Sequence, residues 1–269
     1  MDRKGYNSIS CIPKEIQYKL NLGLIESATL AEWLSVNQPL LLKNVLEEND
    51  RIKYIDEIDK YVDLKSSSIV QKRNIGKFLY DQSIIHSDNE IFDILSCHVS
   101  DSVRCWAIYF ALSEDNLDIN EVLLRIRRFA SDSHFNVREL AWLSARDFII
   151  NDLHESISML SSWVMDADEN IRRFASEVTR PVGVWCRHIP QLKGNPVIGL
   201  PIIEPLKSDI SRYVQNSVAN WLNDVSKTNP SFVIDTTDRW YEESKTKETE
   251  YIIKRATRTI RKSIQHLKQ

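Results

Sequence analysis

The sequence predicts an all-α protein, a right-handed α-solenoid of stacked helical repeats. Three observations carry this. Glycine and proline are scarce, with 6 and 8 in 269 residues, so helices joined by short turns are favoured over β-hairpins. Four stretches, beginning at Ser102, Asn136, Asn170 and Tyr213, share a β-branched residue followed four positions later by a small or apolar one: Val103/Ala107, Val137/Ala141, Ile171/Ala175 and Val214/Val218. The first three are spaced 34 residues apart, the fourth follows after 43, and a fifth copy, Ile252/Ala256, comes 38 further on. A second amphipathic segment precedes each copy, such as "INEVLLRIRRFA" and "ESISMLSSWVM". Two helices per unit at this period is the pattern of HEAT-like repeats.

In chain order, residues 13–85 read as N-terminal helices and 86–180 as repeats, with 202–269 as C-terminal repeats of the same single domain. The junctions "SDSH", "DADEN" and "KSD" supply short polar side chains suited to helix N-caps. Residues 181–201 break the pattern. The stretch 175–201 holds four of the eight prolines and three of the six glycines, and 181–201 reads as an inserted loop that presents Trp185.

A hydrophobic fraction of 42% is enough for a core, and a net charge of −3 hides a basic end. Residues 251–269 carry Lys254, Arg255, Arg258, Arg261, Lys262 and Lys268 and no acid, so a mildly acidic total leaves nucleic acid open as a partner. Cys11, Cys97, Cys105 and Cys186 form no CxxC pair and read as reduced thiols, with "CHVSDSVRC" as packed thiols rather than a metal site. No HExxH, P-loop or GxGxxG is present, so no metal or cofactor is expected. The N-terminus lacks the apolar run of a secretory signal and no stretch of 18 apolar residues occurs; the expectation is a cytoplasmic, monomeric protein away from membranes.

Counted from the β-branched residue of each second helix, offsets +2, +6 and +9 share one helical face. They are Cys105, Tyr109 and Leu112 in the first copy, then Glu139, Leu143 and Arg146, then Arg173, Glu177 and Arg180, then Asn216, Asn220 and Asn223, and last Lys254, Arg258 and Arg261. Asp224 stands beside Asn223 and Lys227 follows. This stripe of cations, amides and carboxylates is either the solvated face of a solenoid or a binding surface; its excess of cations suits phosphates.

The stretches "ASEVTRPVGVW", "PLKSDISRYVQNSVANWLNDVSKTNP" and "YIIKRATRTIRKS", with "LNLGLIESATLAEWL" near the N-terminus, resemble the AlkC-like bacterial DNA glycosylases of the DNA alkylation repair superfamily. The resemblance covers most of the chain. It implies a HEAT-like fold acting on double-stranded DNA and excising alkylated bases, chiefly 3-methyladenine and 3-methylcytosine. It places the family's functional acids on Glu177 and Asp224, its tryptophan on Trp185, a further acid on Glu139 and an arginine on Arg173. The chain departs from the family at Val178, where glycine is usual, and at "VGV" (182–184). Relatives often carry a C-terminal immunoglobulin-like domain, and this sequence runs only to Gln269 after its last repeat.

The chemistry suits these residue types. A base alkylated at N3 is cationic, so its glycosidic bond breaks toward a sugar with oxocarbenium character, and a fixed carboxylate is the useful catalyst. One carboxylate 4 Å from the developing cation is worth about 4 kcal/mol at an effective dielectric near 20, or roughly a thousandfold in rate. A tryptophan face over the cationic base would add about 0.5–2 kcal/mol. With no amine nucleophile among the acids, the expected enzyme is monofunctional, with Glu177, Asp224, Glu139 and Trp185 catalytic. Arg146, Arg173, Arg180, Asn220, Lys227, Lys254, Arg258 and Arg261 are the expected DNA contacts. The alternative is a non-catalytic repeat scaffold that binds DNA or protein through the same face, with Glu177 and Asp224 in structural ion pairs.

Overall fold

The computed structural model describes residues 3–57, 66–183 and 186–266. Among these residues every regular element is a helix, and none is long and apolar enough to cross a membrane. The chain gathers into two compact units, Met1–Leu117 with Ser133–Ala141, and Asp118–Asp132 with Trp142–Gln269.

The first unit contains α1 (Lys14–Asn21), α2 (Leu30–Ser35), α3 (Gln38–Glu48), α4 (Ser68–His86), α5 (Ile91–Ser96) and α6 (Asp101–Ala111). Three of these start on side-chain caps: Thr29 accepts from the Glu32 amide, Asn37 from Leu40 and Ser67 from Val70. Helix α4 lies along α6, and Gly76 is why they approach so closely. A Cβ added there would stand 2.5 Å from Tyr109 Cβ and 2.6 Å from the Trp106 carbonyl oxygen. Buried Asp101 accepts from the amide and hydroxyl of Ser27 and from Asn136, while the His134 ring bonds the Ser27 carbonyl at 2.6 Å. Lys72 is fully buried on α4, donates to Ser68 Oγ at 2.6 Å and stands 4.0 Å over the Trp33 ring. Of the two cysteines in "CHVSDSVRC", Cys105 is buried as expected but Cys97 is exposed, because it caps the short α5 at the surface.

The second unit contains α7 (Ile119–Ala130), most of α8 (Phe135–Asn151), α9 (Leu153–Trp163), α10 (Glu169–Val178), α11 (Pro190–Gly194), α12 (Leu200–Ile203), α13 (Arg212–Val225), α14 (Pro230–Glu243), α15 (Lys247–Ala256) and α16 (Arg258–His266). Asp118 and Glu121 form a capping box on α7, and Asp168, Ser211 and Thr246 cap α10, α13 and α15. The second helices of the repeats lie side by side, α10 on α13 and α13 on α15. Trp221 fixes one of these contacts. It is buried, donates to the Thr179 carbonyl at 2.9 Å and covers Gly199, where a Cβ would come within 2.3 Å of its ring.

The recurring V-R or I-R dipeptide has a structural reason. Arg104 donates to the carbonyls of His98 and Val99, Arg138 to Ser133 and Arg172 to Asp166 and Ala167, and Gln215 takes the same place with Asp209. Each fastens the turn just before its own helix.

The inserted segment differs from the expected loop. Residues 190–203 form α11, a 3-10 turn at Pro196–Gly199, and α12. Each of these three stretches has a proline in its first turn, where a missing N–H costs nothing and the fixed φ helps, so prolines that read as loop residues act as helix starters.

Candidate functional site

Helix α10 carries Glu177 in its last turn, and the chain leaves the helix through Thr179 and Arg180 before Pro181. Apolar packing sets its register: Phe174, Ala175 and Val178 are buried on α10, and Val218, Trp221 and Leu222 on α13. Glu177 is thereby placed against Ser217 of α13, and Arg180 reaches Asp224 near the end of that helix.

Arg180 joins the two acids. Its Nη1 donates to Glu177 Oε1 at 2.6 Å, while Nε and Nη2 reach Asp224 Oδ2 at 3.0 and 2.9 Å. Ser217 donates to Glu177 Oε2 at 2.7 Å and itself accepts from Ser176 at 2.8 Å. Arg173 stands 3.6 Å from Glu177, and Lys227 donates to Asp224 Oδ1 at 3.3 Å. Both acids are almost fully buried, with 4% and 3% of their surface exposed. Burial pushes the Glu177 pKa up, but Arg173, Arg180 and Ser217 outweigh it and hold the carboxyl below its ordinary value. Burial likewise lowers the Arg180 pKa, and the two acids more than reverse this. Glu177 is therefore a buried anion at neutral pH. Glu177 Oε1 and Asp224 Oδ1 each accept one hydrogen bond and retain a second lone pair, whereas Asp224 Oδ2 takes two nitrogens of Arg180.

Arg146 does a different job from the one its position on the stripe implied. It is buried, and its Nε donates to the Arg187 carbonyl at 3.1 Å, its Nη1 to Val178 and its Nη2 to Arg180 at 2.5 Å. All three groups are spent on the turn after α10, and burial lowers its pKa. It holds that turn from a buried position, not from an open surface. Gly183 packs in the same turn against Cys186, and a Cβ there would stand 2.0 Å from its Sγ unless that side chain moved.

On α13 the polar stripe is an inter-helix seam and not an open face. Asn216 accepts from Tyr251 at 2.8 Å, Asn220 from Arg258 at 3.1 Å and Asn223 from Thr259 at 3.0 Å. Arg258 also donates to the Arg255 carbonyl and Arg261 to the Lys254 carbonyl. Burial, followed by the nearby Arg255 charge, lowers the Arg258 pKa. Lys254 is exposed. Arg173 stacks 4.1 Å over the Tyr213 ring. Of the expected catalytic set, Glu177 and Asp224 come together, Glu139 belongs to the first unit and is half-buried, and Trp185 lies outside the described residues. Ser217 and Tyr213 were missed by sequence reasoning. Ser217 sits three residues after Val214, off the +2/+6/+9 stripe, and only the lateral contact with α10 brings it to Glu177.

An all-helical repeat protein with adjacent second helices that share a buried, arginine-bridged pair of carboxylates is the class defined here, and its fold is that of AlkC and AlkD. The alkylpurine DNA glycosylase AlkC of Pseudomonas fluorescens, solved bound to DNA containing an abasic-site analogue, superposes with a TM-score of 0.64 at 20% identity over 91% of this chain and 64% of its own. AlkD2 of Streptococcus mutans superposes at 0.54 with 24% identity over 77% of this chain and 96% of its own. The YhaZ protein of Bacillus subtilis (strain 168) is 40% identical over 137 residues, 51% of this chain. That match spans 37% of YhaZ's own length. No family model matches the chain.

Proposed function

We propose that this chain is a monofunctional DNA glycosylase that removes cationic alkylated bases of the 3-methyladenine and 3-methylcytosine type from double-stranded DNA, acting as a cytoplasmic monomer without metal or cofactor. The observation that carries the reading is the buried pair Glu177 and Asp224, held together by Arg180 on adjacent helices. A protein has little reason to bury two acids so close unless their charge is used or fully compensated. The likeness in fold to an alkylpurine DNA glycosylase supports the same reading.

The reaction asks little of the protein. The glycosidic bond breaks with its electron pair going to the cationic base, which leaves neutral and needs no general acid. Positive charge moves to the sugar, where a fixed carboxylate stabilises it. Water adds at C1′ and gives its proton to a carboxylate, completing hydrolysis. Arg180 acts on this scheme in two ways. It helps keep Glu177 ionised, and it partly offsets the field of both acids, so the net gain falls below the single-carboxylate figure of about 4 kcal/mol.

That offset favours one rival, a DNA-binding or protein-binding scaffold in which Arg180 and the two acids are a structural triad. Incubating the protein with methylated duplex DNA and identifying released bases by mass spectrometry decides between them. Release of 3-methyladenine above the spontaneous rate, with 7-methylguanine as comparison, is the expected result; release at the spontaneous rate for both bases would leave the scaffold.

A further inference from the structure

One group of cations near the C-terminal end of the second unit has no assigned role. Arg212 opens α13 and places its guanidinium 3.5 Å from the centre of the Tyr251 ring on α15. Arg255, one turn beyond Tyr251 on α15, sits 5.5 Å from the same ring. The tyrosine cannot swing away, because its hydroxyl donates to Asn216 Oδ1 at 2.8 Å. Both arginines are exposed, and among the described residues neither guanidinium meets a carboxylate. Two like charges are thus gathered about one anchored aromatic ring, with no carboxylate among the described residues in an ion pair with either. Stacking holds a guanidinium in place while leaving its N–H edge free. By contrast, Arg258 and Arg261 donate to protein acceptors.

We propose that Arg212 and Arg255, stacked about Tyr251, form a site for a backbone phosphate of duplex DNA, and that they, rather than Arg258 and Arg261, grip DNA at this end of the chain. This deepens the reading of the chain as a DNA glycosylase and rests on it. Geometry gives the site a use. Arg212 and Asp224 lie on one helix, twelve residues apart, which at 1.5 Å per residue is about 18 Å. A duplex whose damaged nucleotide lies at Asp224 is long enough to reach a cation at that distance. A planar guanidinium is also suited to phosphate, which it can bond through two N–H groups at once.

The test measures affinity for one undamaged duplex over a salt series, for the wild type, Arg212→Ala, Arg255→Ala, the double variant and Arg258→Ala. Each lost phosphate contact lowers the slope of log affinity against log salt by about 0.9. The double variant is expected to lose between one and two such steps, and Arg258→Ala none. Arg212→Lys keeps the charge but not the stack, and is expected to keep the slope with weaker affinity. A double variant with the wild-type slope overturns this site while leaving the glycosylase reading intact. A wild type that binds no duplex at low salt overturns that reading and the site with it, and capture of an acidic protein in place of DNA would do the same.

Discussion

Two nitrogens of Arg180, Nε and Nη2, converge on a single oxygen of Asp224, at 3.0 and 2.9 Å, and leave the other oxygen to Lys227 at 3.3 Å. The third nitrogen of the same guanidinium holds Glu177 at 2.6 Å. One side chain thus fixes both candidate catalytic acids, and its removal would leave two buried carboxylates short of their main partner.

Arg180→Met keeps much of the side-chain volume and removes the charge. It is expected to destabilise the fold by about 3–5 kcal/mol, the cost typical of breaking a buried ion pair on one side. Urea denaturation measures this. A midpoint equal to that of the wild type would show that Lys227, Arg173 and Ser217 suffice.

Arg146→Met removes the guanidinium from the carbonyls of Val178, Arg180 and Arg187. Stability should fall by about 1–3 kcal/mol or more, the penalty for buried polar groups left unsatisfied. Because Arg146 is buried with each of its three nitrogens bonded to a carbonyl, the salt dependence of DNA binding should keep its slope. A reduced slope would restore Arg146 to the DNA interface.

The depressed pKa of Glu177 sets a sign for acid unfolding. Its ion pairs contribute stability that is fully present above the unfolded carboxyl value of about 4.3. That contribution is lost as pH falls through the lower folded value. The stability difference between wild type and Glu177→Gln should therefore be constant near neutrality and shrink below about pH 4. A difference that stays constant to pH 3 would show that the charge of Glu177 adds nothing to the fold.

Lys72 gives the opposite pH dependence. Burial pushes its amine down to about 8, against an ordinary value of 10.5. The folded state then releases a proton that the unfolded chain still holds, so stability should rise between about pH 8 and pH 10. Lys72→Met should be more stable than wild type at pH 7 and should flatten that rise. Equal slopes in the two proteins would place the alkaline effect elsewhere.

The helices were largely legible because they are written locally. Val103, Val137, Ile171, Val214 and Ile252 each mark a buried position of a second helix, and Asp168 and Ser211 cap theirs. The acids were legible as types on one helical face. Their partners were not, since offset counting finds a face but not what covers it. Asn216, Asn220 and Asn223 look solvent-facing from α13 alone and become a seam only when α15 and α16 lie beside them. Arg146 reads as a DNA contact from the stripe alone for the same reason. Its three acceptors are carbonyls 32 to 41 residues away, and backbone carbonyls leave no trace in a sequence pattern.

Single-turnover excision of 3-methyladenine by Asp224→Asn tests the central claim most directly, because the substitution keeps the shape of the side chain and removes its charge. If Asp224 stabilises the sugar cation, the rate falls by a factor on the order of a hundred or more, while DNA affinity holds or rises as an anion leaves the neighbourhood of phosphate. A well-folded Asp224→Asn protein that excises at the wild-type rate would contradict the account, and would leave Asp224 as no more than a structural partner of Arg180 and Lys227.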